Sequence, residues 1–220
     1  MAAISNLLST IYKDYRRCIV TDYVNPIIAI FLTQGFGALL NYRVARFIYL
    51  YIKIPVIRQI MLAAVFLWRK LVEVVTGIYL PWRADIGAGL HIAHFGNILV
   101  NPEAQIGTNC NLSQGVSIGI TYGGKRPGAP MIGNRVYIGP NAIVIGGIEL
   151  GDDAAIGAGA VVTKTVPPRA VVAGNPAQII YYKGSFNYVQ YDDMENNADR
   201  LISIQASRTG EPTEGIIEVS

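Results

Sequence analysis

From Ile86 onward, aliphatic residues return at every sixth position. The clearest run is Ile132, Ile138, Val144, Leu150, Ile156 and Val162, with an earlier run at Ile86, Ile92, Ile106, Leu112 and Ile118. The residue four places later is also apolar or small: Leu90, Gly96, Cys110 and Val116, then Val136, Ala142, Ile148, Ala154, Ala160 and Val166. An α-helix repeats at 3.6 and a strand at 2, so neither explains a steady six. A six-residue period predicts a parallel β-helix, in which each unit supplies one short strand and one turn and three units close a triangular coil. Both recurring positions point into the prism, and Cys110 is read there as a small buried hydrophobe. Gly133, Gly139, Gly151 and Gly157 follow the first position, where the backbone is tight.

The period breaks twice. Ile98 to Ile106 is eight residues, a slip of two, and Ile118 to Ile132 is fourteen. The second excess is rich in Gly and Pro and carries Lys125 and Arg126, so residues 119–131 are expected to leave the prism as an extruded loop. Before the repeats, residues 1–77 read as short, strongly apolar helices, among them Ala38–Lys53 and Ile57–Thr76. The order of charges at the start does not fit a secretory signal. The uncharged run Tyr23–Tyr42 is broken by Asn25, Pro26, Gln34, Gly35, Gly37 and Asn41, and makes a poor membrane span. The division expected is therefore 1–77 helical, 78–183 β-helix and 184–220 a polar tail, with a short helix at Asn197–Ala206 and a mobile end.

Composition changes the picture in three ways. The chain has 220 residues, 51% of them hydrophobic and 15% charged, which excludes disorder as its overall state. Two cysteines cannot form a disulfide framework, and two histidines leave little for a His-built metal site, so no metal is expected. Residues 1–83 hold ten Lys/Arg against three Asp/Glu, and residues 84–220 hold eight against twelve. The basic front suits an anionic membrane face or a solvated helix face, and both stay open here; the acidic back does not suggest nucleic acid.

The repeats, the segment Asn111–Gly119, the extruded loop and the runs Val161–Pro168 and Gly174–Ala177 together resemble the hexapeptide-repeat acyltransferases, and within them the serine acetyltransferase group. Gly35–Arg43 resembles the end of that group's helical front domain. The resemblance implies a mainly β fold, a left-handed parallel β-helix with an N-terminal α-helical region. It also implies acetyl-CoA as co-substrate, a cytoplasmic location and a homotrimer, alone or as a dimer of trimers. The family's general base is a histidine at an outward position, and the matching run Ile92–Asn97 makes it His94. His91 matches no catalytic position and is read as a turn residue lining the cleft. For CoA, the resemblance points to Pro140, Gly157, Ala158 and Asn175 along a groove, Lys164 and Arg169 near its phosphates, and Gly119 as a backbone donor to an oxyanion. For the acceptor it points to Tyr79, Gln114, Tyr122, Lys125 and Arg126.

The departures bear on the acceptor. Two aspartates accompany the base in serine acetyltransferases, and Ala93 and Tyr79 stand in their places. That group's loop carries an Arg-His pair that holds a carboxylate, and here the positions are Gly128 and Ala129. Losing charge-assisted hydrogen bonds of this kind costs about 1.5–3 kcal/mol each. The expectation is therefore an O-acetyltransferase acting on a sugar or polysaccharide-precursor hydroxyl, similar to the exopolysaccharide and capsule O-acetyltransferases. The alternatives are a serine O-acetyltransferase and a catalytically silent scaffold. For the basic helices, the alternatives are trimer pairing or peripheral contact with the cytoplasmic face of the inner membrane.

Overall fold

The computed structural model of the chain describes residues 2–22 and 33–209. The first ten residues of the uncharged run 23–42 and the end of the tail, 210–220, lie outside the described residues. Among the described residues three helices come first: α1 (Ala2–Asp22), α2 (Gln34–Tyr51) and α3 (Pro55–Thr76). Pro55 opens α3 at a position where its missing N–H costs nothing, and Gly77 closes it in the left-handed conformation at φ 70°.

The repeats build a parallel β-helix with three faces. The first face stacks Ile78–Tyr79, Ile98–Val100, Ser117–Gly119, Ile143–Ile145 and Val161–Val162. The second stacks Asp85–Ile86, Gln105–Ile106, Met131–Ile132 and Glu149–Leu150. The third runs through His91–Ile92, Asn111–Leu112, Tyr137–Ile138, Ala155–Ile156 and Val171–Ala173, and ends with the antiparallel Gln178–Tyr181. Each coil donates and accepts its backbone hydrogen bonds through its neighbours, as in Asn111 N–H to the Val136 carbonyl at 2.9 Å. The six-residue positions fill the interior as expected: Ile92, Ile118, Ile138, Val144 and Ile156 have no exposed surface, nor has Cys110. Gly96 is the exception, half-buried in a turn at φ 121° rather than inside the prism. Burial pushes the Cys110 thiol up to about 12, so it stays protonated and inert.

The open upper end of the prism is closed by α2. A Cβ at Gly35 would fall on the carbonyl oxygen of Ile92, so only glycine allows the helix this close. Tyr42 Oη donates to the Ala84 carbonyl at 2.9 Å and accepts from Ile86 N–H at 3.1 Å. Arg43 ties helix to coil, donating to the carbonyls of Ile86 (2.5 Å) and Gly87 (2.6 Å) while pairing with buried Asp14 of α1 at 2.7 Å. Burial holds the Asp14 carboxyl above its ordinary range, against the pull of Arg43.

The segment after residue 183 is packed, not a free tail. It climbs the corner between the second and third faces. Ser185 Oγ donates to the Arg135 carbonyl at 2.5 Å, and Tyr188 stacks on Tyr137 at 4.5 Å. Asn111 Nδ2 donates to the Tyr188 carbonyl at 2.8 Å, and Asp192 meets Arg16 of α1 at 2.8 Å. It ends in α4 (Ala198–Thr209), which starts one residue later than the expected helix and runs three residues longer. Under this segment Arg135 makes a two-pronged pair with Asp153, at 2.8 and 2.9 Å, and both are buried. Asp153→Ala leaves a buried guanidinium facing only Asp152 at 3.5 Å. We expect a loss of about 3–5 kcal/mol in urea unfolding, and a far smaller loss from Asp192→Ala at the exposed pair with Arg16.

Candidate functional site

The two breaks in the period fall at two different corners of the prism. Eight residues separate Ile92 from Val100, whereas six separate their partners Leu112 and Ile118 in the coil below. The slip therefore adds two residues to the turn 93–97, between the third and first faces. That enlarged turn carries His94, which is exposed, with exposed Phe95 beside it. The turn is not loose. Gly96 N–H donates to the Thr76 carbonyl at 2.8 Å and Ile98 N–H to the Gly77 carbonyl at 3.0 Å, so the end of α3 holds it.

Below His94 the same corner descends through four further turns. A Cβ on Gly96 would sit 3.6 Å from Cβ of Gln114. The Gln114 carbonyl accepts from Asn141 N–H at 2.9 Å, and the Pro140 carbonyl from Gly159 N–H at 2.8 Å. His94, Gln114, Pro140 and Ala158 thus form one column. Gly157 lies in the third turn, where a Cβ would press on Ala173 at 3.1 Å, and Asn175 in the last. The column is lined by small or flat groups, which suits a long, thin, largely apolar chain.

The fourteen-residue break leaves at the corner between the first and second faces. It folds as a hairpin, with Thr121 and Gly128 exchanging backbone hydrogen bonds at 3.1 and 2.8 Å. Gly119 lies at its base and pairs with Ile145, while Tyr122 is 88% exposed at the tip, beside exposed Lys125. Arg126 is held away from the tip: it donates to Thr165 Oγ1 at 2.6 Å, and its carbonyl accepts from Thr121 Oγ1 at 2.9 Å. The width of the first face, three residues or about 10 Å at strand rise, separates this corner from that of His94.

Two expected roles need correcting. Arg169 does not face solvent. It sits at the corner between the second and third faces with 2% exposure, and its carbonyl accepts from Gly184 N–H at 2.9 Å. The segment after 183 covers it, so a CoA phosphate has no path to it. His91 is not a turn residue; it lies in a strand of the third face, paired with Asn111, and is 2% exposed. Lys164 is exposed but lies at the hairpin corner, so one chain does not bring it to the His94 column. Tyr79 lies on the first face with its ring 5.3 Å from the Arg69 guanidinium. Arg69 is also 4.6 Å from the Trp82 ring and pairs with Glu73 at 3.1 Å.

Sequence reading missed the outer surface of the first face. Tyr79, Leu99, Ser117, Ile143 and Val161 stand in register down it. Leu99 and Ile143 are exposed. Their signal was an aliphatic residue beside an inward position, where the repeat elsewhere tolerates polar ones.

Comparison with known proteins agrees with this architecture. Residues 129–164 match the family described as bacterial transferase hexapeptide (six repeats). A serine acetyltransferase of Synechococcus elongatus is 29% identical over 96% of this chain and 85% of its own length. Two other relatives of that name are spanned over 47% and 65% of theirs. The soybean serine acetyltransferase apoenzyme superimposes with a TM-score of 0.68 at 31% identity, over 79% of this chain and 69% of that one. A serine acetyltransferase in complex with CoA superimposes with a TM-score of 0.67 at 26% identity, over 80% and 70%. The prism is accordingly the left-handed parallel β-helix preceded by helices. The chain belongs to the hexapeptide-repeat transferase family and is a homologue of the serine acetyltransferases.

Proposed function

We propose that the chain transfers an acetyl group from acetyl-CoA to a hydroxyl, with His94 as general base. The observation that carries this is the enlarged turn: the chain's one exposed histidine, raised by two extra residues, stands at the head of the Gln114–Pro140–Ala158 column. An alcohol must lose its proton as it attacks, and an imidazole of near-neutral pKa can take it. The hydroxyl oxygen bonds to the acetyl carbon, the C–S bond breaks, and the imidazolium returns the proton to the leaving thiolate. The developing oxyanion needs fixed donors, and Gly119 N–H at the hairpin base is assigned that part.

His94 has no hydrogen-bond partner among the described residues, so one chain alone does not orient its ring. The exposed apolar first face, flanked by the His94 corner and the hairpin corner, supports a homotrimer in which each base meets a neighbour's hairpin. That arrangement also brings a neighbour's Lys164 toward the CoA phosphates.

The relatives favour L-serine as acceptor, and a serine O-acetyltransferase is the reading they support best. One observation on this chain favours a second reading, a sugar hydroxyl. Gly128 and Ala129 close the hairpin without any cation, and Arg126 is occupied by Thr165. A thiol-release assay with both acceptor classes separates the two. The serine reading requires a kcat/KM for L-serine of about 10⁴ M⁻¹s⁻¹ or more. The sugar reading requires a value well below that, with turnover of a hydroxyl acceptor lacking a carboxylate. On whichever acceptor is turned over, His94→Ala is expected to lower kcat by about 10²–10⁴ while acetyl-CoA still binds. Unchanged turnover would remove the assigned role, and His91→Ala is expected to keep most of the activity.

A further inference from the structure

Helix α3 is apolar on the side turned away from the protein. Its inner side is formed by Leu62, Val65, Arg69, Val72 and Thr76, which face α2 and the first coil. At 100° per residue the opposite side makes an arc of roughly 140° that holds no charged or polar side chain. Ile60, Leu67, Trp68, Leu71, Val74 and Val75 lie on this arc, with Leu67 70% and Val74 84% exposed. Among the described residues nothing covers it. Exposed Ile54 extends the patch just before the start of the helix. A soluble surface does not leave five turns of continuous apolar helix in water.

We infer that this arc lies in the surface of an anionic phospholipid membrane, with α3 parallel to the bilayer plane. Two observations choose the lipid over another protein. First, the arc is broad. A helix pairing with one partner helix needs only a narrow seam, whereas a lipid surface covers such an arc at once. Second, cations border it: Lys53 just before its start and Lys70 along one edge, within a front region of ten basic and three acidic residues. Long basic side chains can lay their stems on the apolar surface and reach the headgroups. The end of α3 also anchors the His94 turn through the Thr76 and Gly77 carbonyls, so docking would bring the site to the lipid surface.

The test is co-sedimentation of the full chain with vesicles of phosphatidylglycerol and phosphatidylcholine. Wild type is expected to bind, and Leu67→Glu/Leu71→Glu to bind at least tenfold less with an unchanged circular dichroism spectrum. Both positions are exposed, so the fold does not depend on them. Lys53→Glu/Lys70→Glu is expected to weaken binding to these vesicles severalfold and not to those of phosphatidylcholine alone. Light scattering without lipid is expected to give the same mass for wild type and the Leu67/Leu71 variant. Failure of wild type to bind overturns the inference. So does a fall in mass on Leu67→Glu/Leu71→Glu, which would make the arc a contact between copies of the chain.

Discussion

Every coil of the prism satisfies its backbone through the coil above and the coil below. No coil is stable alone, both ends need covers, and the faces between must stay flat and regular for the stacking to continue. Inward positions are fixed by the same rule, since one aliphatic residue out of step would leave a gap or a clash through the stack. The only places that tolerate extra residues are the corners. Both departures from the period are found there: two residues in the turn that bears His94, and eight in the hairpin of residues 119–131.

The covers follow from the same need. Helix α2 closes the upper end because Gly35 lets it rest on Ile92 and because Arg43 and Tyr42 bond to carbonyls and an N–H of the first coil. Helix α3 is fixed beside that cover and ends against the His94 turn. The stability of the prism, the closing of its upper end and the position of the candidate base are therefore linked through α2 and α3. The segment after 183 seals a second exposed strip, over Arg135 and Asp153, and ties the lower coils back to α1 through Asp192 and Arg16.

The prism was legible because its physics is local and repeated. Six-residue spacing decides which side chains turn inward, and Ile92, Cys110 and Ile138 obey it. The period also located the second insertion, but it placed the first between Ile98 and Ile106, whereas the register sets Val100 six residues before Ile106 and leaves the two extra residues in the turn of His94. What it could not show is whether an outward residue stays exposed. Arg169 is outward in the prism, yet a segment with no period of its own packs over it. His91 is a strand residue that the resemblance alone could not place. The path of residues 184–192 depends on single long-range contacts, such as Tyr188 on Tyr137, that leave no periodic trace. The outer face of α3 was visible as a near-continuous apolar run, but only the packed helix separates its inner stripe from the uncovered arc.

The central claim is that the His94 corner, with its column of Gln114, Pro140 and Ala158, is where acetyl-CoA meets its acceptor. The most direct measurement is a crystal structure of the full chain with CoA. The account predicts CoA lying along that corner with its thiol within hydrogen-bond reach of the His94 ring, at a boundary between two copies of the chain. CoA seated on another corner with its thiol far from His94, or no CoA at saturating concentration, would contradict it.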